Sequence, residues 1–142
     1  MKSPQICPFG PDLQLYWDKR YDFFSKWDAG IQTDEEGLYS VIAESVAEVQ
    51  ASHIKGAHVI DAFAGIGGCA IAYARAGKRV TAIELNPERL EMAKHNANLY
   101  GVSDLITFIQ GDFFEVAPTI QADAINLDPP WGGPSYKEKG VF

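Results

Sequence analysis

Four short stretches of the chain carry the residue types that chemistry needs. The last of them, Asp128-Pro129-Pro130-Trp131 within NLDPPWGGPSY, sets an acid, two prolines and a tryptophan directly after an apolar run. Proline lacks an N–H and fixes its own φ, so this turn is stiff and offers carbonyls rather than donors. The Asp128 side chain and the Pro129 carbonyl form an acceptor pair that could hold the hydrogens of an exocyclic base amine and leave its lone pair facing outward. Trp131 offers a flat surface for stacking, worth about 1–3 kcal/mol per base, and stronger for a cationic base. A proline-stiffened turn with a buried tryptophan is the plainer reading of the same residues.

The other three stretches bear on a cofactor. DAFAGIGG, residues 61–68, places Gly65 and Gly67 where a strand turns tightly into a helix and the backbone can approach a ligand. GIGGCA satisfies the loose pattern G-x-G-x-x-G/A, so a nicotinamide or flavin dinucleotide is one reading. Asp61, four residues before the first glycine, tilts the balance. Its carboxylate would repel a pyrophosphate and would suit an ammonium group such as the methionine end of S-adenosylmethionine. Glu84 follows 17 residues after Gly67 and can accept both hydroxyls of a ribose, which fits either cofactor. In QGDFF, Asp112 can accept from an adenine amine while Phe113 packs on the ring. Ala62, Phe63 and Leu85, beside these acids, complete the candidate cofactor wall. Singly, Glu84 or Asp112 reads equally well as an ordinary loop acid.

These residues need elements to hold them in register. The runs 58–63, 79–85, 105–110 and 122–127 read as strands, separated by helical patterns over 69–77 and 86–101 and by a short helix or loop after Phe113. In the 86–101 helix, Asn86 is the expected N-cap, Pro87 the first helical residue and Gly101 the stop. Strands alternating with helices predict an α/β fold with a mainly parallel sheet and right-handed crossovers. All four chemical stretches then fall at carboxyl ends of strands, the edge where such sheets bind ligands. Upstream, residues 16–28 predict one aromatic-faced helix with Asp12 as a possible N-cap and Gly30 as its stop. IQTDEEGLYS (31–40) reads as a turn. VIAESVAEVQASHI (41–54) reads as an amphipathic helix with Val41, Ile42, Val46, Val49 and Ile54 inward. Residues 1–40 thus form an arm with an aromatic helical extension, and residues 41–142 the α/β domain.

Composition narrows the partners. The net charge of −7 argues against a protein that grips long duplex nucleic acid through its phosphates, while leaving a small nucleotide or an RNA end open. Lys19, Arg20 and Lys26 are a candidate local basic spot, or simply a solvated helix face. Cys7 and Cys69 form no disulfide framework, and the three histidines form no ligand cluster, so neither a metal site nor an oxidising compartment is expected. No stretch approaches 18 apolar residues and the N-terminus lacks an apolar signal core, so neither a membrane span nor a secretory leader is expected.

Taken together, the motifs resemble class I S-adenosylmethionine-dependent methyltransferases, and DPPW resembles the [DNS]-P-P-[YFW] signature of those that methylate base amines. YWDKRYDFFSKWDAGIQTDEEGLYSV, DAFAGIGG and DPPWGGPSY further resemble the trimethylguanosine synthase family, which methylates N2 of the 7-methylguanosine cap. The likeness runs from about Tyr16 to the chain end. It implies a Rossmann-like methyltransferase sheet, S-adenosyl-L-methionine as cofactor, capped RNA or a cap nucleotide as partner, and a place in the nucleus and/or cytoplasm. It also implies Phe24 beside the cofactor, Trp131 under the cationic base and Tyr136 near the cap phosphates. Asp128, Pro129 and Trp131 become the catalytic candidates.

The chain departs from the family at three places. Ser or an Asn-like residue is usual before P-P-W, where Asp128 stands. Thr-Pro-Glu is common where Ile42-Ala43-Glu44 stands, and a lysine is common at Leu15. The class has seven strands in the order 3-2-1-4-5-7-6, whereas only four are read here. A fragment of a longer enzyme, or a partner or swapped copy covering the fourth strand, would reconcile the two. Besides cap N2 methylation, amino-methylation of adenine or guanine in RNA or DNA and a catalytically inactive cap- or nucleotide-binding module remain readings of these residues.

Overall fold

The computed structural model describes residues 1–138 and 140; Lys139, Val141 and Phe142, at the end of the 41–142 region, lie outside the described residues. The elements run α1 (Gln14–Asp18), α2 (Arg20–Phe23), α3 (Glu35–Ser40), α4 (Glu44–His53), β1 (His58–Asp61), α5 (Gly68–Arg75), β2 (Arg79–Glu84), α6 (Pro87–Leu99), β3 (Ile106–Gln110), α7 (Phe113–Val116) and β4 (Ala124–Asn126). The strands form one parallel sheet in the order β3-β2-β1-β4. That is the α/β, Rossmann-like arrangement expected, with the first four strands in the class order. Leaving β1, the chain builds β2 and β3 on one side and then crosses to β4 on the other. The reversal leaves a crevice above the carboxyl ends of β1 and β4.

Local chemistry sets the helix starts. The Asn86 side chain accepts from the Arg89 N–H at 3.0 Å and Pro87 occupies the first helical turn, as expected for α6. The glycine turn after β1 needs Gly67 twice over. Its φ of +96° suits no other residue well, and a Cβ there would lie 3.3 Å from Ala93 Cβ on α6. Fully buried Asn96 of α6 donates to the Ile66 carbonyl at 3.0 Å and to the Gln32 carbonyl at 2.9 Å, and accepts from the Gln32 N–H. One amide thereby ties the N-terminal segment to the glycine turn.

Three sequence expectations are corrected. The aromatic stretch is not one helix: it breaks at Lys19 and again at Phe24, whose backbone is extended, and a short 3-10 turn follows at Trp27–Ala29. On a continuous helix, residues ten apart lie about 15 Å apart along the axis. The breaks let the Trp17 and Trp27 rings meet edge to face at 5.5 Å, with Phe24 at 6.2 Å from Trp27. Asp12 caps no long helix; it lies within the 3-10 turn Pro11–Leu13. Second, part of IQTDEEGLYS is helical. Asp34 caps α3 by accepting from the Gly37 N–H at 2.7 Å, and six residues are too few to show a periodicity. Third, α4 turns Ala47 and Ala51 inward and leaves Val46 and Val49 exposed. Its partner α5 presents Ala70 and Ala74, and two alanine faces pack closely where valines would hold the helices apart. Of the inward set, Val41 and Ile54 do pack against the core.

Gly37 sits where α3 meets the glycine turn. A Cβ there would fall 2.6 Å from Ile66 Cγ2 and 2.7 Å from Thr33 Oγ1, and Ile66 is buried. Gly37→Ala is therefore expected to cost about 1–3 kcal/mol through overpacking. Urea unfolding measures this, and a change within about 0.5 kcal/mol would contradict it.

Candidate active site

A cavity of about 570 Å³ opens at the carboxyl edge of the sheet, within the size range of small-molecule sites. Its floor is the end of β1. Asp61 is the last residue of that strand, paired across the ladder with Asn126 of β4, and it is 1% exposed. Its Oδ1 accepts from Asn126 Nδ2 at 3.1 Å, whereas its Oδ2 is buried with no hydrogen-bond partner among the described residues. Burial raises the carboxyl to about pH 6 against the opposing pull of Asn126 and of the Ala70 N–H on α5, and the nearby Asp128 and Glu84 add to the shift. A buried carboxylate oxygen with no partner is costly and needs an explanation. Here the cavity opens onto it.

Glu84 closes β2 beside Asp61. Its Oε1 accepts from the Gly65 N–H at 3.0 Å and its Oε2 from the Asn86 N–H at 2.9 Å, so the glycine turn and the α6 cap fix the carboxylate between them. Each oxygen keeps a lone pair for a further donor. Asp112 caps α7, accepting from the Phe114 N–H at 2.8 Å. Phe63 and Phe113 face each other with ring centroids 5.6 Å apart. Together with Ala62, Gly65 and Leu85 they line the same cavity.

Asp128, Pro129, Pro130 and Trp131 form the opposite wall. Asp128 stands at the rim, with its carboxyl raised by partial burial. The Trp131 ring meets Tyr39 at 5.7 Å and Tyr136 at 5.6 Å, both near perpendicular.

Eleven of the residues assigned from sequence thus line one cavity: Asp61, Ala62, Phe63, Gly65, Glu84, Leu85, Asp112, Phe113, Asp128, Pro129 and Trp131. Three do not. Phe24 is buried against Trp27 and Tyr100 in the core. Gly67 shapes the turn from below, against Ala93. Tyr136 stands behind the lining, with its ring against Trp131. Several polar lining residues carried no sequence assignment to the site, among them Asn126, Glu36, Ser40 and Arg89. A strand-end asparagine two residues before D-P-P was the available signal for Asn126. For the others there was none once residues 31–40 read as a turn. Ser40 Oγ, like Asp61 Oδ2, is buried without a hydrogen-bond partner among the described residues. Cys69 also lines the cavity, but burial raises its thiol so far that it stays protonated. Among the described residues no group of three metal-binding side chains occurs, and no helix is long and apolar enough to cross a membrane.

Comparisons with known proteins agree with this geometry. Residues 56–142 match the family described as RNA cap guanine-N2 methyltransferase. The chain is 40% identical to the trimethylguanosine synthase of Schizosaccharomyces pombe, over all of this chain and 64% of that protein. It is 31% identical to that of Saccharomyces cerevisiae, over 92% of this chain and 45% of that protein. The chain therefore spans about half to two thirds of these relatives' length. A crystal structure of an RNA methyltransferase from Salinibacter ruber in complex with S-adenosyl-L-homocysteine is 30% identical, with a TM-score of 0.50, over 58% of this chain and 54% of that one. The family match over residues 56–142, more than half of the chain, shows that the chain belongs to the RNA cap guanine-N2 methyltransferase family.

Proposed function

We propose that the chain transfers a methyl group from S-adenosyl-L-methionine to the exocyclic N2 of 7-methylguanosine in an RNA cap. The observation that carries this reading is Asp61, whose buried and unpartnered oxygen faces the same cavity as the D-P-P-W wall. A cationic ammonium satisfies that oxygen, whereas the pyrophosphate of a dinucleotide would be repelled by it. Bound there, S-adenosyl-L-methionine would supply an electrophilic methyl on sulfur.

The chain's own residues do the remaining work. Asp61 takes the ammonium. Glu84, held by the Gly65 and Asn86 N–H groups, accepts the ribose hydroxyls. Asp112 accepts from the adenine amine, and Phe63, Phe113 and Leu85 cover the ring. Across the cavity the Asp128 carboxylate and the Pro129 carbonyl hold the hydrogens of the base amine, and Trp131 stacks on the cationic base. The amine loses one proton for the methyl it gains, and Asp128 is placed to accept it. Catalysis on this reading is positioning with no covalent enzyme intermediate. Tyr136, beside Trp131, lies toward the cap phosphates. Capped RNA as substrate sets the site of action in the nucleus and/or cytoplasm. The outer edge of β4, with Ile125 and Leu127 exposed, supports pairing with a further strand from a partner or a second copy.

Incubation of the chain with methyl-labelled S-adenosylmethionine and 7-methylguanosine diphosphate is expected to label the base amine, with guanosine diphosphate inert. Equal labelling of both would overturn the cap assignment in favour of a general base amino-methyltransferase. Cap binding without transfer would leave a binding module. Trp131→Ala is expected to weaken 7-methylguanosine diphosphate binding by about 1–3 kcal/mol, roughly 5- to 150-fold.

A pH dependence follows from Asp61. Its folded value of about 6 lies above an unfolded value of about 4, so the folded state holds the extra proton in that window. The contribution of Asp61 to the stability of the ligand-free chain should therefore fall as pH rises from about 4 to about 6. Asp61→Asn should lack that fall. Binding of S-adenosylhomocysteine, which carries the ammonium, should weaken as pH drops below about 6. Identical pH slopes in the two proteins would contradict the assignment.

A further inference from the structure

Within the segment Asp28–Val41, D-x-GI-x-x-D-x-EG-x-x-SV, Asp34 and Glu36 converge on one cation. Arg89, near the start of α6, has a side chain only 12% exposed. Its Nε and Nη2 donate to Asp34 Oδ2 at 3.1 and 2.8 Å, and its Nη2 pairs with Glu36 Oε2 at 2.7 Å. Its Nη1 stands 3.9 Å from Glu84 Oε2. Against the cost of burial, Asp34, Glu36 and Glu84 keep the guanidinium charged. A planar fork can serve several carboxylates at fixed angles, which an ammonium cannot.

The same contacts place α3. Asp34 is both the partner of Arg89 and the N-cap of the helix. One turn later α3 carries Tyr39, whose ring meets Trp131 at 5.7 Å and lies against Gly133. Next to it, Ser40 lines the cavity together with Glu36 and Gly37. A continuous line of contacts therefore runs from Glu84 through Arg89 and α3 to Trp131.

We infer that Arg89 is a positioning residue that couples the two halves of the site, the ribose acid Glu84 and the base platform Trp131, through α3. The inference deepens the function proposed above and rests on it. Both ligands need α3 in one placement, since its residues line the cavity and Tyr39 backs the tryptophan. Glu84 and Trp131 share the Arg89–α3 contacts, so the ligand that binds first sets the placement that the second meets, and the second then binds more tightly. Linkage requires the same factor in both directions.

Calorimetry on the 142-residue chain tests this, with S-adenosylhomocysteine and 7-methylguanosine diphosphate each titrated alone and with the other saturating. In the wild type each ligand should tighten the other several-fold. Arg89→Met should bring that factor close to one while a melting curve still shows a cooperative fold. Arg89→Lys, charged but without the fork, should restore only part of it. Glu36→Gln, which removes one carboxylate and leaves Arg89 in place, should reduce the factor even if Arg89→Met does not fold. An unchanged factor in either Arg89→Met or Glu36→Gln, with or without a lower melting temperature, overturns the inference. So does a wild type that binds both ligands independently. A wild type that binds neither overturns the functional reading, and this inference with it.

Discussion

A buried carboxylate with one oxygen unpartnered among the described residues is the constraint around which the site is built. Burying Asp61 at the end of β1 costs stability, and one bond from Asn126 offsets only part of that cost. The sheet accepts this because the crossover between β1 and β4 opens a crevice directly above it. The neighbouring acid is treated differently. Glu84 is satisfied in advance by two backbone N–H groups, so its orientation is set before any ligand arrives. On the proposed reading one acid takes a cation and the other accepts hydroxyls; backbone geometry separates the two roles.

The N-terminal segment contributes to the same pocket more directly than an appended arm would. Trp17, Phe24 and Trp27 belong to one buried cluster with Val59, Ala70 and Ala97. Asn96 ties residue 32 to the glycine turn, and Arg89 ties α3 to the end of β2. Through α3 the segment brings Tyr39 against Trp131, so that tryptophan leans on a residue about ninety positions earlier in the chain.

The strand-end chemistry was legible in the sequence because it rests on short-range rules. A glycine turn, an N-cap asparagine with proline after it, and acids at the ends of apolar runs all reveal themselves within a few residues; the parallel sheet follows from the alternation, and its order from the family resemblance. What the sequence concealed depends on long-range contacts. The aromatic stretch has the spacing of one helix, yet ring packing between Trp17 and Trp27 breaks it. The inward face of α4 was misread because valine is more hydrophobic than alanine, whereas a close helix pair selects the smaller residue. Arg89, which reads as an ordinary helix-surface residue, gains its place only when α3 folds back over α6. Phe24, which the family resemblance implies beside the cofactor, is buried against Trp27 and Tyr100.

The most direct test is a crystal structure of the chain with S-adenosylhomocysteine. The ammonium nitrogen is expected within hydrogen-bond distance of Asp61 Oδ2, about 2.7–3.2 Å, with the ribose hydroxyls on Glu84. A ligand bound with its ammonium away from Asp61, or with a different group against that oxygen, would contradict the assignment of the buried acid.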